Sequence, residues 1–230
     1  MNRIKKERLL NYLLSFTSEN KQELFDRLLP QRTRHITVAV EDIFQPQNAS
    51  AVLRTADCFG IQDVHIIENE NTYRVNPRVV HGASKWIDLY SYSSEQQNTL
   101  HCINHLKQKG YRIVATTPHT DSVALHDLDL KKPVALLFGT EKDGLSETAL
   151  NNADEHMYIP MHGFTESLNI SVSAAICLHH LTNRLRQTDL NWHLTDAEQL
   201  ELNLMWVKQA LKDPKGLEKR FWEANPDISQ

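Results

Sequence analysis

The chain has 230 residues, 40% of them hydrophobic and 23% charged, with a net charge of -4 at pH 7. That balance is ordinary for a soluble globular protein, with room for one sizeable domain and some appended helices. No apolar run approaches the ~20 residues that a membrane span needs, and the overall charge does not announce a nucleic-acid partner.

In chain order, residues 3–29 predict one or two amphipathic helices closed by Pro30. HITVAVED (35–42) predicts a strand, and QPQNASAVLRTADCFG a helix with Gly60 at its C-terminal cap. DVHIIE and IDLYSY follow as strands, EQQNTLHCINHLKQKG as a helix closed by Gly110, and YRIVATT and PVALLFG as strands. SETALNNA is a short helix with a serine cap, HMYIP the last strand, and a helix runs from about Asn169 to about Arg186. A polar linker then leads to a C-terminal helix from Thr195. Strands that alternate with helices, several of them continuously apolar, predict an α/β fold with a parallel sheet covered by helices on both faces.

Charge is unevenly spread. Residues 1–35 hold eight Lys and Arg against four acids, and the stretch from Lys208 to Arg220 is again basic. Such patches bind phosphates or are merely solvated helix faces. The N-terminal MNRIKKERLLNYLL lacks the apolar core of a secretory signal, and Cys58, Cys102 and Cys177 fit reduced thiols, so a cytoplasmic location is expected. His101 and His105 share a helix face with Cys102 between them, but no third ligand is near, and no metal is expected.

Glycine is scarce: seven in the chain, less than half the usual ~7%. Three of them, Gly139, Gly144 and Gly163, fall in one short window, which suggests a tight turn or a close backbone approach to a ligand. GxGxxG and GxxxxGK[ST] are both absent, so dinucleotide and P-loop readings have no support. Three segments follow predicted strands, at the edge where parallel sheets place their sites. In NASAVLRTA, Arg54 lies off the apolar stripe and Asn48 near the helix start; alone they read as a solvated arginine and a cap. In FGTEKDGLS, two glycines bracket Glu141, as a turn or as a loop shaped to a ligand. In MHGFTESLNISVS, residues 167–173 alternate polar and apolar like a strand and run into a helix. That helix is apolar on so many sides that it suits packing on its own core and on a partner subunit.

The ordered set NASAVLRTA (48–56), LLFGTEKDGLSETAL (136–150) and IPMHGFTESLNISVSAAI (159–176) resembles the SPOUT methyltransferases, specifically the TrmH (SpoU) family of RNA ribose 2'-O-methyltransferases. The resemblance covers roughly residues 35–187. It implies a C-terminal deep trefoil knot, S-adenosylmethionine bound in that knot, a homodimer with its active site at the subunit interface, and no metal. It implies catalytic roles for Asn48 and Arg54 from one subunit and for Ser167 and Asn169 from the other, with Glu141 as the motif acid. Thr116, Leu137, Gly139, Ile159, Met161 and Leu168 would surround the adenosyl group. The domains implied are a basic helical extension (1–34), the methyltransferase domain (35–190) and a C-terminal helical extension (191–230). The extensions point to tRNA, with guanosine 18 of the D-loop as target and Arg3, Lys5, Lys6, Arg8, Arg32, Arg34 and Lys85 as phosphate contacts. Ribosomal RNA, another tRNA position, and a knotted RNA-binding or assembly protein without catalysis are the alternatives. The motif reads HGFTES, where tRNA enzymes of the family commonly carry an apolar residue and glutamine at the places of His162 and Glu166.

The family proposal makes the arginine at the place of Arg54 a general base. Arginine titrates near ~12.5, and bringing it to ~7 costs roughly 7.5 kcal/mol. Holding the neighbouring phosphate in line with the methyl group is a less costly role.

Overall fold

The structure is a computed structural model that describes residues 2–74, 76, 82–94, 96–118, 122–140 and 142–226. It divides into two units, residues 33–192 and a second unit made of residues 1–32 with 193–230.

The larger unit is built on seven strands: β1 (Ile36–Glu41), β2 (Asp63–Ile67), β3 (Asp88–Tyr92), β4 (Arg112–Thr116), β5 (Val123–Ala124), β6 (Val134–Phe138) and β7 (Glu155–Tyr158). They form one sheet in the order β3-β2-β1-β6-β4-β7-β5, and every pairing is parallel. All six residues of β1 and all five of β6 are buried, as the continuous apolar runs predict for strands covered on both faces. Alternate residues feed two cores. Ile36, Val38, Val40, Leu136 and Phe138 face one, with Val52, Leu53 and Ala56 of α3 (Pro46–Cys58) and Ala174, Leu178 and Leu181 of the long helix near the unit's end. Ala39, Ala135, Leu137 and Ile113 face the other, with Ile103 and Leu106 of α4 (Asn98–Gln108) and Ala149 of α5 (Glu147–Asn152). That long helix, α6 (Ile170–Arg186), packs on α3.

Register then places the site. Val40 pairs with Phe138, Ala115 with Leu137, and Thr116 with Met157, so the C-terminal ends of β1, β6, β4 and β7 lie side by side. The strand order reverses direction there, which is where open parallel sheets leave a crevice.

The terminal segments, which the sequence presents as separate extensions, pack together as the smaller unit. It holds α1 (Arg3–Leu14), α2 (Glu19–Leu28), α7 (Asp196–Ala210) and α8 (Pro214–Ala224). Phe25 and Trp206 meet at 5.5 Å between centroids, and Tyr12 packs against Phe221 at 5.2 Å. A capping box of Thr195 and Glu198 starts α7. The single C-terminal helix expected from Thr195 is two helices, because Pro214 cannot continue α7 and instead starts α8, with Asp213 accepting from the Gly216 N–H at 2.9 Å. The two-residue β5 was not expected, since so short a segment carries no period.

His65, on β2, is fully buried. Its Nδ1 lies 3.0 Å from the Tyr92 hydroxyl, which lies 2.6 Å from His105 Nδ1. The single Tyr92 proton serves one ring, so the other must donate. With His65 as donor its buried Nε2, which has no partner among the described residues, is a bare acceptor rather than an orphaned N–H. Burial, with Lys109 nearby, pushes His65 down to about 3. Below the ordinary value of 6.5 the unfolded chain therefore binds a proton that the folded chain refuses, so stability falls as pH drops from about 6.5 towards 3. We predict that urea unfolding of the wild type, titrated between pH 6 and 4, loses roughly 1 kcal/mol per pH unit more than that of a His65→Phe variant. Parallel pH profiles would contradict this.

Candidate active site

The turn after β6 decides the shape of the crevice. A Cβ on Gly139 would sit 2.1 Å from the carbonyl carbon and oxygen of Gly144 and 2.3 Å from the Leu145 nitrogen. No side chain fits there. The backbone is drawn that close because Thr140 and Gly144 bond reciprocally, Thr140 N–H to Gly144 O at 2.9 Å and Gly144 N–H to Thr140 O at 3.2 Å. The Asp143 N–H adds a bond to the Thr140 hydroxyl at 3.0 Å. Gly144 itself has φ of +71°, a conformation that L side chains rarely adopt. Two of the three clustered glycines, Gly139 and Gly144, thus have a backbone cause; Gly163, where a Cβ would meet only the Thr165 nitrogen at 4.0 Å, does not. Glu141 lies outside the described residues.

Beside the turn is a cleft of about 340 Å³, within the range of small-molecule and cofactor sites. Thr116, Gly139, Ile159, Met161 and Leu168, all expected around a cofactor, line it. Leu137 does not. Its side chain belongs to the core beneath α4, and what it offers the site is a carbonyl that accepts the Thr116 hydroxyl at 2.7 Å. Phe138, Leu145, Met157 and Ile170 add apolar wall, and Ser167 and Glu166 lie at the cleft among exposed residues. Among the described residues no group of three His, Cys, Asp or Glu is placed to hold a metal. An apolar wall broken by a few hydroxyls fits an adenosyl ligand.

The strand-like alternation of 167–173 resolves into an extended approach and a helix start. Asn169 caps α6, its Oδ1 accepting from the Ser171 N–H at 2.8 Å and the Ser171 hydroxyl at 2.6 Å. Its Nδ2 donates to Oδ1 of Asn48 at 3.2 Å. Asn48 is 7% exposed, in the first turn of α3. The resemblance implied that these two asparagines act from opposite subunits; within one chain the packing of α3 on α6 already joins them. Arg54 behaves differently. It is exposed on α3, away from the buried Val52, Leu53 and Ala56, and it does not line the cleft of its own chain.

The expected phosphate contacts separate into two groups. Arg32 is 5% exposed and stacked over Trp206 at 5.2 Å, and Arg34 pairs with Asp63 at 3.0 Å and Asp88 at 2.7 Å. Both are engaged inside their units. Arg3 pairs with Glu7 at 2.7 Å and Lys6 with Glu201. Arg8 and Lys85 are exposed and Lys5 partly so. Charge counting along the sequence could not separate these groups, because the carboxylate partners of Arg34 and Lys6 are distant in sequence.

One residue at this edge was not singled out from the sequence. Glu41 ends β1, 2% exposed, with its carboxylate bonded to Thr99 and Ser146. Its signal is an acid closing the buried run ITVAVE.

Comparison with known proteins agrees with this geometry. A tRNA (guanosine(18)-2'-O)-methyltransferase from Borreliella burgdorferi is 40% identical over 209 residues, covering 91% of this chain and 94% of that one. The crystal structure of a TrmH/SpoU tRNA modifying enzyme from A. aeolicus superposes with a TM-score of 0.74 at 25% identity, covering 83% of this chain and 96% of that one. An AdoMet-bound rRNA methyltransferase from Sinorhizobium meliloti superposes at 0.57 with 26% identity, over 72% of this chain and 61% of that one. Residues 35–179, which hold the three motif segments, the glycine turn and the cleft, match the SpoU rRNA methylase family, and the chain belongs to it.

Proposed function

We propose that the chain transfers a methyl group from S-adenosylmethionine to a ribose 2'-hydroxyl of RNA, with guanosine 18 of the tRNA D-loop as the target. The observation that carries this reading is the closed turn at Gly139, which borders a cleft of apolar side chains and hydroxyls beside Ser167. The Borreliella relative, similar along nearly its whole length, supports the choice of tRNA over ribosomal RNA. Bound in the cleft, S-adenosylmethionine supplies an electrophilic methyl group.

In this reading the chain's own residues do three things. The turn of 139–145 and the segment from Ile159 to Leu168 hold the adenosyl group and exclude water. Ser167 and Glu166 face the reacting end. Arg54 orients the RNA phosphate, so that the 2'-hydroxyl lies in line with the methyl group. Arg54 is off its own cleft, which supports its delivery to the cleft of a second copy. Val172 and Ile176 are exposed one helical turn apart on α6, and Phe164, ahead of that helix in sequence, is fully exposed. An apolar stripe of this kind supports a homodimer built on α6. A knot belongs to the same reading. It is supported by the path of the chain, which leaves α5 on the α4 face, passes through the sheet as β7 and returns as α6 on the α3 face.

Three experiments test the reading. Incubating the chain with labelled S-adenosylmethionine and a mixture of unmodified tRNA and ribosomal RNA, then mapping the ribose, should place the label at guanosine 18 of the tRNA. Arg54→Ala should lower kcat/KM by about 100-fold or more, the cost of losing alignment at the reacting atoms. Label in ribosomal RNA alone, or near-normal transfer by Arg54→Ala, would overturn the assignment. Gly139→Ala should abolish binding of S-adenosylmethionine in calorimetry, because the turn must open to admit the methyl group; tight binding by that variant would contradict the assigned site.

A further inference from the structure

A buried carboxylate stands behind the cofactor turn. Glu41 Oε2 accepts from the Ser146 N–H at 2.8 Å, and Oε1 accepts from the Ser146 hydroxyl at 2.7 Å and from the Thr99 hydroxyl at 2.5 Å. Ser146 follows the turn directly and caps α5 by accepting from the Ala149 N–H at 3.1 Å. Thr99, in α4, also accepts from Asn69 Nδ2 at 2.9 Å, and the Asn69 N–H donates to Asp42 Oδ1 at 2.7 Å. One carboxylate therefore ties the end of β1 to α4 and to the exit of the 139–145 turn.

Stability alone is a poor reason for this group. Burying a carboxylate is costly, and none of the described residues gives Glu41 a cationic partner. A valine at the end of ITVAV would complete the same core. What only the carboxylate provides is two fixed acceptor oxygens that take a backbone N–H and two hydroxyls at once.

We propose that Glu41 is a positioning residue for the cofactor: it fixes Ser146, and through it the backbone of 139–145, in the shape that receives the adenosyl group. It touches neither cofactor nor RNA. The inference rests on the cleft being the S-adenosylmethionine site.

The test is calorimetric binding of S-adenosylmethionine to the full chain, with amide hydrogen exchange of residues 139–146 in the ligand-free protein. Glu41→Gln removes the charge and turns one of the two acceptor oxygens into a donor, so the Ser146 N–H and the two hydroxyls can no longer all donate to this side chain. It should weaken cofactor binding about tenfold or more, the scale of hydrogen bonds to a charged group. It should also speed exchange in the turn, raise KM for the cofactor and leave KM for RNA within about twofold. Thr99→Val, a milder loss, should act in the same direction, and Thr99→Ser, which keeps the hydroxyl, should restore wild-type affinity. This pair decides the matter if Glu41→Gln does not fold. A wild type that binds S-adenosylmethionine while Glu41→Gln and Thr99→Val bind equally well overturns the inference alone. A wild type that binds none overturns the functional reading with it.

Discussion

The approach of Gly139 to Gly144 is the constraint on which the rest of this site depends. Two backbone segments lie so close that a single methyl group would collide with a carbonyl. The reciprocal Thr140 and Gly144 bonds hold that closure, and β6, buried over its whole length, supplies the rigid end from which the turn leaves. The turn fixes where Leu145 leaves it, and Leu145 with Phe138, Met157 and Ile170 forms the apolar wall of the cleft.

Other parts of the fold support that turn. β1 and β4 flank β6 and bring Glu41 and Thr116 to the same edge. The Thr116 hydroxyl bonds the Leu137 carbonyl, just before the turn, and Glu41 takes Ser146 just after it. On the far side, Asn169 starts α6 and reaches Asn48 at the start of α3, so the segment entering α6 is anchored to the helix that carries Arg54. The unit is therefore stiff where a cofactor would be gripped. It is exposed at Ser167, Leu168, Val172 and Arg54, where RNA and a second subunit would approach.

Much of this is legible in the sequence. Continuous apolar strands alternating with helical periods imply the parallel sheet, and Gly139 and Gly144 mark the turn. Long-range pairing was not legible. Nothing in the local pattern tells that Arg34 is spent on Asp63 and Asp88, or Arg32 on Trp206, and a count of basic residues treats them like Arg8. Glu41 escaped notice because one acid at a strand end is common, and its meaning lies in partners 58 and 105 residues away. Leu137 was assigned by its place in a motif, although strand alternation turns its side chain to the opposite core. The alternation at 167–173 misled in the same way: a period of two over a few residues is shared by an extended approach and a capped helix start.

The central claim is that the site is completed by two copies, with the cleft from one and Arg54 from the other. A tagged heterodimer carrying Arg54→Ala in one chain and Gly139→Ala in its partner tests it most directly. Each homodimer should be inactive on tRNA. The heterodimer holds one site with an intact cleft and an intact arginine, and it should recover about half of the wild-type rate per dimer, as one of two independent sites would. A heterodimer as inactive as its parents would place Arg54 and the cleft in the same chain's site and contradict the account.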